Sequence, residues 1–143
     1  MAKLNDGELL LKKIADAAIP HGLPDGVPIS PMSAVNSSAI TTTTGVAIKA
    51  AVAGKRHWIT EAVAINEATT EDAVFAISDE DDNEYAIMAP VDADGVNNGG
   101  GAAMGKYVFN PPLVIPAGKA IEGIGKVAVL GDVWCSINGF VED

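Results

Sequence analysis

Aromatic residues are scarce in this chain, at 5% of 143 residues. Any core must therefore be built from Val, Ile, Leu and Ala, and the 48% hydrophobic content is enough to build one. Cysteine is nearly absent: Cys135 stands alone, so no internal disulfide can form and a secreted disulfide scaffold is excluded. Basic residues are outnumbered 9 to 19, for a net charge of −10. A surface of that sign repels phosphate backbones and anionic membranes, which argues against nucleic-acid and membrane partners. No stretch approaches the ~18 apolar residues of a membrane span. The apolar run Leu9–Leu11 is broken at once by Lys12 and Lys13, which does not read as a signal peptide. A chain made and folded in a reducing cytoplasm is expected.

What is present falls into two parts. Residues 1–44 read as an arm. Asn5 or Asp6 can cap a short helix, Glu8 sits favourably in its first turn, and Leu10, Ile14, Ala17 and Ala18 share one face. Pro20 ends that run. Pro24, Pro28 and Pro31 then prevent a helix and discourage a central strand, and Ser33 to Thr44 is small and polar. A helix this short is marginal alone in water, so the arm reads either as a disordered tail or, from its apolar face, as a segment that orders on a neighbour.

Residues 45–143 read as strand after strand. Val46–Val52 alternates with period 2. Trp58–Ile65, Ala73–Ser78, Tyr85–Ala89, Tyr107–Phe109, Leu113–Ile115, Lys126–Leu130 and Val133–Val141 follow, with Gly, Asn and Asp turns between. Spacings near ten residues and the lack of intervening helices predict an all-β antiparallel sandwich or barrel. One residue resists the pattern: Glu61 shares a period-2 face with Ile59, Val63 and Ile65. A buried, unpaired Glu is costly, so either Glu61 lies near a rim or a bulge shifts the register. The loop Val91–Met104 is rich in glycine and reads as mobile or ordered by a partner.

No catalytic set emerges. Nucleophilic catalysis needs a Ser, Thr or Cys beside an oriented base. His21 lies in the proline-rich arm, His57 follows Lys55 and Arg56, and both read as surface histidines. Cys135 alternates with Val133 and Ile137 and reads as a small buried hydrophobe. Asp79, Asp81 and Asn83 begin like a calcium loop, but Glu84 replaces the required Gly and Pro90 the required Glu, leaving a solvated acidic turn. Gly123-Ile-Gly-Lys lacks the rest of a P-loop. No cofactor or metal is expected, and no enzyme activity.

Three segments carry a family resemblance. They are Gly45-Val-Ala-Ile-Lys-Ala-Ala-Val-Ala-Gly-Lys-Arg-His-Trp-Ile, Asn110-Pro-Pro-Leu-Val-Ile-Pro-Ala-Gly-Lys-Ala-Ile, and Asp132-Val-Trp-Cys-Ser-Ile-Asn-Gly-Phe-Val-Glu. Over about 100 residues the chain resembles the head decoration, or cement, proteins of tailed bacteriophages. That resemblance implies a jelly-roll-like β domain with an N-terminal extension, a homotrimer, and a place on the outer capsid surface of the virion. The major capsid protein would be the partner. Leu10, Ile14, Pro20, Pro24, Pro28 and Pro31 would then contact the capsid or a neighbouring protomer. The alternative is a fibre-tip or lectin-like glycan-binding module, with Val91–Met104 and the acidic turn Asp79–Glu84 forming its site.

Overall fold

A computed structural model describes residues 26–67, 73–88, 103–127 and 132–143. These form eight strands: β1 (Ile29–Val35), β2 (Val46–Lys49), β3 (His57–Asn66), β4 (Phe75–Asp79), β5 (Glu84–Ile87), β6 (Ala103–Ile115), β7 (Ile121–Gly125) and β8 (Val133–Glu142). One sheet has the order β1-β8-β3-β6 and the other β2-β7-β4-β5, and every pairing is antiparallel. Strands 1 and 8, 2 and 7, 3 and 6, and 4 and 5 are neighbours. The chain thus runs out and back as one long double strand, rolled so that it passes between the two sheets at each turn. This is the jelly roll, and the expected all-β antiparallel sandwich is present.

The two sheets enclose an apolar core that includes Ile40, Ile59, Phe75, Ile77, Ile115 and Ile121, all fully buried. Cys135 is also fully buried among them, as its alternation suggested, and burial pushes its thiol up to about 12. The Glu61 conflict is resolved by a bulge. Register shifts between Ile59 and Glu61 on both sides of β3, so Ile59 points inward while Glu61 points out. Ala62 and Ala64 then fill the core side, and Val63 and Ile65 face away from it.

Several sequence expectations need correction. β1 lies inside the segment read as an arm, so the domain begins near Ile29 and not at residue 45. The prolines did keep this strand from the middle of a sheet: β1 is an edge strand. Beyond it, Asn36 is almost fully buried and bridges to β8. Its Nδ2 donates to the Val133 carbonyl at 3.1 Å and to Ser38 at 2.6 Å, and its Oδ1 accepts from the Cys135 N–H at 2.6 Å. Ile40 exchanges backbone bonds with Val133 and fills the core.

The segments 107–109 and 113–115 belong to one strand, β6, which contains the cis Asn110–Pro111 bond. β7 is not among the expected strands, because Gly123 and Gly125 interrupt its apolar pattern. Its glycine is required by packing: a Cβ on Gly123 would lie 2.4 Å from Ile40 Cδ1. Of the strand expected at 126–130, Lys126 and Val127 lie past the end of β7 at Gly125, and 128–130 lie outside the described residues. The short helix expected within Met1–Ile19 lies outside the described residues, as do Leu10, Ile14, Pro20, Pro24 and His21.

Candidate interaction surface

Residues directly opposite each other in an antiparallel ladder share a face, so the pairing register maps which side chains point away from the core. Four outward residues, one from each strand, line up across the β1-β8-β3-β6 sheet: Pro31, Phe140, Trp58 and Val114. Trp58 is only 5% exposed, yet it belongs to this outer row and not to the inter-sheet core. Arg56 lies over its ring at 5.2 Å, a cation–π contact, and its Nη2 pairs with Glu142 at 2.5 Å.

A polar row follows. Ser33, Asn138, Glu61 and Val108 are aligned, with Glu61 paired to Lys106 at 2.9 Å and to Asn138 at 3.3 Å. Hydrogen bonding to Lys106 holds the Glu61 carboxyl below its ordinary range. The next row, Val35, Ser136, Val63 and Lys106, alternates apolar and polar side chains, and Ile65 and Trp134 lie beyond it. Val108 and Val35 are 70% and 56% exposed, at opposite edges of the sheet.

An antiparallel sheet with one face on a core normally turns polar residues to water. This one does not. Its outward charges also cancel within the strands: Arg56 and Lys106 against Glu61 and Glu142, each engaged in an ion pair. Glu67, at the rim, accepts a hydrogen bond from the Trp134 indole at 3.2 Å. A nearly neutral, partly apolar face on a chain of charge −10 is suited to contact with another macromolecule.

The remaining candidates fare differently. Pro31 lies on the apolar row and Pro28 just before it, where the Pro28 carbonyl accepts from the Asp143 N–H at 3.0 Å. His57 is not a surface residue. It is fully buried, neither ring nitrogen has a hydrogen-bond partner, and burial followed by the charge of Lys49 lowers its pKa. The Lys119 backbone carbonyl opposes that shift from a position outside hydrogen-bonding geometry.

The acidic turn is solvated except at Asp79. That carboxylate is buried and saturated: Oδ1 accepts from the Asp81 N–H at 2.9 Å and the Asn83 N–H at 3.1 Å, and Oδ2 from the Tyr85 hydroxyl at 2.7 Å. Asn83 Nδ2 donates to both oxygens. Asp79 closes its own turn with the oxygens a cation would need, and the Asp81 carboxylate pairs with Lys119 at 2.5 Å. Among the described residues no group of three His, Cys, Asp or Glu could hold a metal.

The two segments proposed together for glycan binding are anchored at opposite ends of the sandwich. The acidic turn joins the end of β4 to the start of β5, at the end where β3 begins. The glycine-rich connection leaves from the other end of β5, and most of it lies outside the described residues.

No family model and no curated protein matches the chain. Among solved structures it is similar to a chain of the virus-like particle of the extra small virus of the giant freshwater prawn Macrobrachium rosenbergii. The identity is 10%, the match covers 87% of each chain, and the TM-score is 0.39, a likeness too loose to carry an argument.

Proposed function

We propose that the protein is a structural component of a virion, a decoration or cement protein on the outer head surface of a tailed bacteriophage. The observation that carries the reading is the outer face of the β1-β8-β3-β6 sheet. The space between the sheets is filled by side chains such as Phe75, Ile77 and Ile121, so the chemistry offered to a partner lies on the outside. That outside includes an apolar, charge-balanced sheet face suited to binding protein. A fold of this kind serves many functions, and the step from a contact surface to a phage head rests on the strand-and-turn resemblance of residues 45–143, an analogy.

In this reading the segment before β1 grips the major capsid protein or a neighbouring protomer, and the β domain is the exposed body. An arm linked to a folded body gains affinity through effective concentration. The negative charge suits a surface that faces away from packaged DNA. The test is co-sedimentation of the purified protein with empty heads assembled from its phage's major capsid protein. Saturable pelleting, lost when residues 1–25 are removed, is the expected result. Absence of pelleting by the full chain overturns the reading.

A further inference from the structure

The acidic cluster around Asp79 is closed on itself, and His57 lies in the core. The outward face of the β1-β8-β3-β6 sheet has a proposed use but no definite occupant. We infer that this face is where two copies of the chain pack against each other, sheet on sheet, about a two-fold axis.

The first argument is charge. Two molecules of net charge −10 repel through almost any pair of patches. On this face the strand charges cancel, and the two ion pairs, Arg56–Glu142 and Glu61–Lys106, are already formed within each copy. Two such faces can meet without leaving a charge unpaired, so the electrostatic cost left is desolvation of the two ion pairs of each copy.

The second argument is area. Four strands at ~4.8 Å spacing and ten residues at ~3.3 Å rise give a face of roughly 600 Å² in projection. Two such faces together give roughly 1,200 Å², the lower end of the range for stable interfaces.

The third argument is pattern. The apolar row Pro31, Phe140, Trp58, Val114 and the mixed row Val35, Ser136, Val63, Lys106 flank a central row that is polar but for Val108. A two-fold axis along that central row sets the apolar row of each copy against the mixed row of the other, an isologous contact. The inference stands on the face alone and not on the capsid reading. A two-fold contact gives a dimer, where the phage resemblance led to a trimer.

The test is the solution mass of the full chain over a concentration series, by sedimentation velocity with light scattering. The expected species is a dimer, at twice 14.6 kDa. Val108→Glu and Ser136→Arg place charge on the face at positions outside the core, so both variants should keep the wild-type circular dichroism spectrum. Both should shift the population to monomer. A monomer at every concentration, a trimer, or a dimer indifferent to both substitutions overturns the inference. So does a monomeric full chain whose 26–143 fragment dimerises, since the N-terminal segment would then be covering the face in its own molecule.

Discussion

Two truncations separate the arm from the domain. The first removes residues 1–25 and the second residues 1–44. The second deletes β1 with its seven ladder pairs to β8, the buried Met32, the fully buried Ile40, and Asn36 with its three hydrogen bonds. Truncating a buried Ile or Met side chain costs about 2–5 kcal/mol. Each buried polar group stranded by the loss of Asn36 costs about 1–3 kcal/mol. The total is on the order of 10 kcal/mol, comparable with the whole stability of a small domain, about 5–15 kcal/mol.

The longer truncation should therefore show no cooperative thermal transition by circular dichroism. The shorter one removes none of these groups and should melt cooperatively, within ~5 °C of the full chain. A 45–143 fragment that melts at the full-chain temperature refutes the assignment of β1, Asn36 and Ile40 to the domain.

Three further outcomes follow from the same geometry. Asn36→Ala takes the acceptor from the buried Cys135 N–H, while the Val133 carbonyl keeps the Ile40 N–H, and should cost about 1–3 kcal/mol in urea unfolding. Gly139→Ala would set a Cβ 1.8 Å from the Trp58 carbonyl oxygen, so β8 must move off β3; the expected loss is about 3 kcal/mol or more, read as a lowered urea midpoint. The folded pKa of His57 lies below its ordinary 6.5, so the unfolded chain takes up the proton first. Its contribution to stability is complete above pH 6.5 and falls as the pH drops from there toward the folded pKa. His57→Leu should flatten that limb of the stability profile, and an unchanged limb would contradict a buried neutral imidazole.

Period-2 patterning was enough to reveal an all-β sandwich, because β3, β4 and β8 each carry an inward set such as Val133, Cys135 and Ile137. It failed where another constraint replaced alternation. β1 carries Pro31 and sits at an edge, where a missing N–H costs nothing. β7 carries Gly123 because Ile40 occupies the space a side chain would need. His57 looked exposed beside Lys55 and Arg56, yet its place at the start of β3 turns it inward with Ile59.

The outer face was illegible for a more specific reason. Val63 and Ile65 appear to continue the inward set of Ile59, and only the bulge between Ile59 and Glu61 sends them outward. A one-residue slip of this kind exchanges the two faces of everything beyond it. The sequence exposed the conflict at Glu61 but not which residues would yield to it.

The edges and the face of this sheet are treated in opposite ways, and the contrast bears on how copies could join. β1 and β6 are its edge strands, and both are interrupted by proline: Pro31 in the first, Pro111 and Pro112 in the second. Proline removes backbone donors that a neighbouring strand would need, which is how natural sheets discourage edge-to-edge growth. Edge pairing of β1 to β6 is a head-to-tail contact, and such contacts repeat without limit unless the rotation closes. A face-to-face contact about a two-fold axis uses up the surface it needs and stops at two copies. The chain thus blocks the open-ended mode at both edges while leaving apolar, charge-balanced side chains on the face that supports the closed one.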